Sequence, residues 1–409
     1  MNRSKRKNDS SQLPLLLLSV ICTGLGLIMC VLFFIGYGDC GNSSSSGNAS
    51  GNTQAEYVSP TEPEPEPDPV LVKAEEILSQ MTTEQKVAQL ILVRGDKTAE
   101  QDLINFLQQY GAGGVVLFAD NFRGKNEQQV ISMISSLQSA AGGNLLICVD
   151  EEGGTVVRVS SNELLRSRRF KSPQAVFSSG GMDAIAADTR EKCEFLKRYG
   201  INVNFAPVAD VVTSPSGFLY KRSFGKDAQQ TAQYVGTVVS IMDECTMGSS
   251  IKHFPGYGNS SGDTHNGLVT SDITEQTLWT SDLVPFIKGI ESGADSVMVS
   301  HTIVNAIDPN NPASLSPAAM NLLRTQLGFD GVIITDGLDM GAITQFCGGA
   351  DPCVRALTAG ADLMCTPQNA EQSYNALLAA VNDGTVSMER LDQSVFRIII
   401  WKIRLGLYI

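Results

Sequence analysis

The chain has 409 residues, 43% of them hydrophobic, and a formal net charge of −13. That length and apolar content suffice for one large domain or two ordinary ones. An acidic balance without a basic stripe repels phosphate backbones, so nucleic acid is excluded as a partner.

Residues 1–12 form a polar tail with Arg3, Lys5, Arg6 and Lys7 against Asp9 alone. Residues 13–36 follow without one charged side chain, long enough to cross a bilayer. Positive charge before the span predicts a cytoplasmic N-terminus. The expectation is therefore a single-pass anchor in the cell membrane, with the lipid bilayer as its partner and everything after it extracytoplasmic. A cleaved signal peptide would have a shorter apolar core and an Ala-x-Ala site, and Asp39 is a poor neighbour for lipidation at Cys40. Residues 37–69 read as a linker: Gly, Ser and Asn up to Thr53, then alternating Pro and acidic residues from Pro60 to Pro69. Such a composition cannot bury apolar surface and acts as a spacer.

Residues 70–409 alternate amphipathic stretches with short apolar runs. Eight runs are strand candidates: Leu90–Val93, Gly114–Phe118, Leu145–Val149, Val203–Ala206, Ser249–Lys252, Ser296–Val299, Val332–Thr335 and Asp362–Met364. Continuous Val, Ile and Leu runs suit parallel strands buried on both faces. The helix candidates between them are Ala74–Gln89, Ala99–Tyr110, Glu127–Ala141, Gly181–Tyr199, Ala228–Cys245, Gln276–Ser292, Pro317–Gln326, Ala370–Asn382 and Met388–Leu405. Eight such units predict an α/β fold, a single (β/α)8 TIM-type barrel. A doubly wound open sheet is the rival, but no GxGxxG loop follows the first strands.

The runs end in residues a packed core would not choose: Asp120, Asp150 with Glu151, Asp210, Lys252 with His253, His301, and Asp336. In a parallel barrel these ends converge on the C-terminal rim, where active sites are built. The chain's three histidines, His253, His265 and His301, all fall at or just beyond strand ends. Nine cysteines show no CxxC spacing, so a zinc site is not expected. Cys347 and Cys353 flank a short Gly-containing loop and are the pair that could form a disulfide in an oxidising space.

The segment Lys252-His253-Phe254-Pro255-Gly256-Tyr257-Gly258, followed by Asp263-Thr264-His265, resembles the β-N-acetylglucosaminidase branch of glycoside hydrolase family three. The likeness extends to Val149-Asp150-Glu151-Glu152-Gly153-Gly154 with Arg158, to Asn204–Asp210, to Arg222-Ser223-Phe224-Gly225 and to Thr335–Met340, and covers most of the chain from Ala74 to Leu407. It implies a retaining hydrolase of carbohydrate, specifically of terminal β-linked N-acetylglucosamine in cell-wall (peptidoglycan-type) or chitooligosaccharide fragments. Asp336 would be the nucleophile. His265, paired with Asp263 on a loop, would be the acid/base in place of the usual second carboxyl group. Asp150, Arg158, Arg222, Lys252 and His253 match the positions that bind the sugar, and His301 reads as structural. No metal or organic cofactor is implied.

Three positions depart from the pattern: Tyr257 replaces a frequent histidine, Glu151 a frequent glutamine and Thr155 a frequent arginine. They are expected at the pocket's edge. Two alternatives remain open: a β-N-acetylglucosaminide phosphorylase, and a barrel that binds wall polysaccharide without turnover. Asn42, Asn48 and Asn259 lie in glycosylation sequons, the last within the loop of the expected acid/base.

Overall fold

The computed structural model describes residues 67–257 and 268–408, apart from the side chain of Ala342. The expected tail, membrane span and nearly all of the linker lie outside the described residues, as do Asp263, His265 and the three sequons. Among the described residues, no helix is long and apolar enough to cross a membrane.

Eight parallel strands run in the order expected: β1 (Ile91–Arg94), β2 (Gly114–Val116), β3 (Leu146–Val149), β4 (Val203–Asn204), β5 (Gly248–Phe254), β6 (Ser296–Val299), β7 (Val332–Thr335) and β8 (Met364–Cys365). β8 pairs with β1, placing Met364 opposite Ile91. The ring closes between β7 and the residue preceding β8, where Thr335 N donates to Leu363 O and Leu363 N to Ile333 O. The strands are short and, apart from Arg94 at the end of β1, buried, as in a packed barrel interior.

Several expected helices are divided. The stretch expected over Ala74–Gln89 is two helices, Pro69–Gln80 and Thr83–Gln89, because Thr82 and Gln85 form a reciprocal cap that starts the second. Helix Pro173–Lys197 is interrupted at Gly180 and Gly181, so its second half begins where the sequence predicted. The stretch over Gln276–Ser292 breaks into Glu275–Thr277, a wide π-turn at Leu278–Asp282, and Val284–Glu291, with Pro285 unable to donate within it. Three helices were not anticipated: Ala119–Phe122, Gly341–Cys347 and Pro352–Ala359. Cys347 and Cys353 lie on the last two, and both are buried and free, not paired.

Candidate active site

A cavity of about 570 Å3 opens at the C-terminal ends of the strands. Asp150, Arg158, Arg222, Lys252, His253 and Asp336 all line it. Of the catalytic and sugar-binding residues expected from the sequence, Asp263 and His265 lie outside the described residues. Asp120 is a correction: it sits in the short helix after β2, exposed and paired with Arg123, and does not line the cavity.

The floor of the cavity is an ion network. Lys252, only 1% exposed, places its ammonium 2.6 Å from Asp150 Oδ1 and 2.7 Å from Glu152 Oε1. Arg158 Nη2 reaches Asp150 Oδ2 at 3.1 Å. Arg222 grips Glu152 with two donors, Nη2 at 2.7 Å and Nε at 3.0 Å. Lys252 and His253 both line the cavity although adjacent residues of a regular strand face opposite ways; the register of β5 slips between Lys252 and Phe254.

Burial by itself would raise the Asp150 carboxyl's pKa, but Lys252 and Arg158 outweigh it and hold the group well below the usual carboxylate range. Glu152 likewise resists burial through Arg222 and Lys252 and is held at about 2. Burial would lower the Lys252 ammonium's pKa, but the neighbouring Asp150 and Glu152 carboxylates raise it and prevail. Asp150, Glu152, Lys252 and Arg222 therefore stay charged at the cavity floor, and with Arg158 they form a preorganised set of strong donors and acceptors for the hydroxyl groups of a ligand.

Asp210 orients His253. Its Oδ2 accepts from His253 Nδ1 at 2.8 Å and from the His253 backbone N–H at 3.1 Å, while its Oδ1 accepts from Tyr257 N–H at 2.6 Å. With Nδ1–H directed at a carboxylate, Nε2 faces Arg222 Nη2 at 3.4 Å as the acceptor.

Asp336 follows directly on the buried strand β7. Its backbone N–H donates to Val299 O, and its Oδ1 accepts from Gly337 N–H at 2.8 Å. His301 supports this turn from below: fully buried, it lies 2.9 Å from Gly337 O through Nε2 and 2.6 Å from Ser314 Oγ through Nδ1. A carbonyl can only accept, so Nε2 carries the hydrogen there.

Sequence reasoning missed Glu152, the shared anion of Lys252 and Arg222, and did not separate it from Glu151. Glu151 lies not at the pocket's edge but wholly buried, accepting from the backbone N–H groups of Arg158 and Val159 and from the Ser160 hydroxyl. It shapes the loop that presents Arg158. Thr155 is exposed and does not line the cavity, whereas Tyr257 does. A second missed group is Asp339, 2.9 Å from Arg94 Nη1 and 3.1 Å from Lys97 Nζ on the cavity wall.

Residues 82–400 match the family model described as the glycosyl hydrolase family 3 N terminal domain. The chain belongs to glycoside hydrolase family 3. Among its family 3 relatives, the β-hexosaminidase of Xanthomonas campestris pv. campestris (strain B100) is 32% identical over 292 residues, 70% of this chain and 87% of that protein. β-Hexosaminidase LpqI of Mycobacterium tuberculosis is 31% identical over 368 residues, 87% of this chain and 92% of its own. The solved family 3 β-N-acetylglucosaminidase from Paenibacillus sp. str. FPU-7 superposes with a TM-score of 0.75 at 32% identity, covering 80% of this chain and 63% of the other. The LpqI structure gives 0.72 at 30% identity, covering 80% and 95%. By this membership the chain is a glycoside hydrolase, and the rim cavity is its candidate active site.

Proposed function

We propose that this family 3 enzyme is a retaining exo-β-N-acetylglucosaminidase. Terminal β-linked N-acetylglucosamine, in peptidoglycan-type or chitooligosaccharide fragments, is its substrate, and residues 13–36 hold it in the membrane with the barrel outside. The observation that carries the mechanistic reading is the state of the cavity's carboxylates. Asp150 is fixed between Lys252 and Arg158, which hold it ionised, and Asp339 is committed to ion pairs with Arg94 and Lys97. Asp336, at the end of a rigid strand, is the carboxylate placed to attack carbon. A proton donor is then needed from elsewhere, and the loop carrying Asp263 and His265 follows Tyr257 of the cavity wall by only a few residues.

In this reading Asp336 forms a bond to C1 as the glycosidic C–O bond breaks, and the leaving oxygen takes the proton of His265. Water then adds to C1, its proton returns to His265, and Asp336 is released, giving a product of unchanged anomeric configuration. The test is chromophore release from an aryl β-N-acetylglucosaminide. Asp336→Ala should lower kcat by about ten-thousand-fold or more, on the scale of losing a covalent nucleophile. His265→Ala should slow poor leaving groups most. NMR showing the α-anomer as first product would refute retention, and sugar phosphate formed in phosphate buffer would identify a phosphorylase. Binding of chitooligosaccharide without cleavage would leave a wall-binding barrel.

A further inference from the structure

The cavity has one wall that the charged network leaves unexplained. From the sugar-binding floor outward, three rings follow one another. The His253 ring lies 6.2 Å from that of Tyr257, and Tyr257 lies 6.0 Å from Phe218, edge to face. Exposure changes along the same path, from 7% at His253 and 6% at Tyr257 to 49% at Phe218. All three line the cavity.

Phe218 is held there by a turn that cannot readily relax. Gly217 N–H donates to Ser214 O, and a Cβ on Gly217 would come within 2.6 Å of Val212 Cγ1, so a side chain there would have to displace Val212. On the other side of Phe218, Leu219 is buried in a small satellite cluster with Val212, Tyr257 and Val269. Gln174 Nε2 clamps the far side of the turn by donating to the carbonyls of Tyr220 and Ser223. Arg222, four residues after Phe218, reaches the floor network from this same segment. The rigid element that binds the terminal sugar thus also projects a half-exposed aromatic ring at the cavity mouth.

We infer that Phe218, backed by Tyr257, is the wall that receives the leaving group, stacking on the CH-rich face of a pyranose or on an aryl ring. This rests on the exo-glycosidase reading above. A sugar seated on Asp150, Lys252 and Arg222 beside His253 directs its glycosidic oxygen away from the floor, and Phe218 is the outermost member of the ring series. A pyranose face is apolar, with its polarised C–H groups matched to the negative face of a π system, while its hydroxyls remain in water. Nothing in this wall selects by charge, so the assignment concerns the shape and flatness of the leaving group. It makes Phe218 a specificity-determining residue and not a catalytic one.

The experiment compares N-acetylglucosaminyl fluoride, whose leaving group is too small to reach Phe218, with chitobiose, whose leaving sugar is not. Phe218→Ala should lower kcat/KM for chitobiose roughly two- to tenfold, the range of one aromatic contact, and leave the fluoride unchanged. Phe218→Tyr, which keeps the ring, should restore the disaccharide value. An equal loss on both substrates, or no loss on either, overturns the assignment. An unaltered protein that turns over neither substrate overturns the glycosidase reading, and this inference with it.

Discussion

A carboxylate without water around it must find cations or give up its charge, and Glu152 has found two. Its partners reach the same anion from different places, Lys252 on β5 and Arg222 on the loop after β4, so the pair of contacts ties two elements of the cavity floor together. Glu152→Gln keeps the shape and removes the charge, leaving Lys252 and Arg222 undercompensated. The expected loss in stability is about 3 kcal/mol, on the scale of a broken buried ion pair. The sign of the pH dependence follows from the shift. Glu152 is held at about 2 in the folded protein, below its ordinary 4.5, so its contribution is complete above pH 4.5 and disappears as pH falls through 2. Urea midpoints at pH 7 and pH 4 should therefore differ less for Glu152→Gln than for the parent; an unchanged midpoint at pH 7 would refute the role. The sequence showed a glutamate pair at a strand end and stopped there. Which member turned to the backbone of 158–160 and which to the cations depends on a loop closing over nine residues, and no local pattern encodes that. Lys252, His253 and Asp336 were legible because each terminates an apolar run, where a buried charge needs a reason.

At the scale of elements, apolar runs predicted all eight barrel strands, since a strand buried on both faces favours Val, Ile and Leu, but not the separate pair Thr270–Ser271 and Ile303–Val304. The helix Gly341–Cys347 escaped because its sequence opens on glycine beside the site and has little amphipathic length. Its successor, Pro352–Ala359, is scarcely two turns long. The turn after β5 shows how one backbone position supports the site. Gly256 has φ of +121°, and a Cβ there would stand 2.8 Å from Asp282 Cβ, on a side chain that cannot swing away at that atom. Its N–H closes the turn by donating to His253 O, so a displacement would move His253 and Tyr257 together. Gly256→Ala should destabilise by about 2 kcal/mol and lower kcat/KM. Gly124→Ala is the control, with φ of +71° but nothing within 4 Å of the added carbon, and should show only the backbone cost of about 1 kcal/mol. Equal effects in thermal unfolding and activity would remove Asp282 from the explanation.

At the scale of the whole molecule, the final helix, Met388–Arg404, packs on Pro69–Gln80 and Thr83–Gln89 and so joins the two ends of the described barrel. Within that junction Lys402 is completely buried, and its ammonium meets Gln89 Oε1 at 2.5 Å. A neutral amide cannot balance a charge, and burial lowers the lysine from 10.5 to about 7, with only the Cys148 thiol acting in the opposite direction. Unfolding returns the side chain to water and its ordinary affinity for protons. Between pH 7 and 10.5 the unfolded chain therefore binds more protons than the folded one at this position. Stability must rise with pH across that window, by up to about 1.4 kcal/mol per unit. Lys402→Met keeps the length of the chain and removes the proton. Gln89 then loses a donor, which costs the variant a constant amount at every pH, so the diagnostic quantity is the slope of the difference. Denaturant unfolding of both proteins from pH 7 to 9.5 should show the parent gaining steadily on Lys402→Met. A difference independent of pH would mean that Lys402 stays protonated in the fold throughout the range, and that the junction between the two ends of the described barrel tolerates a buried charge.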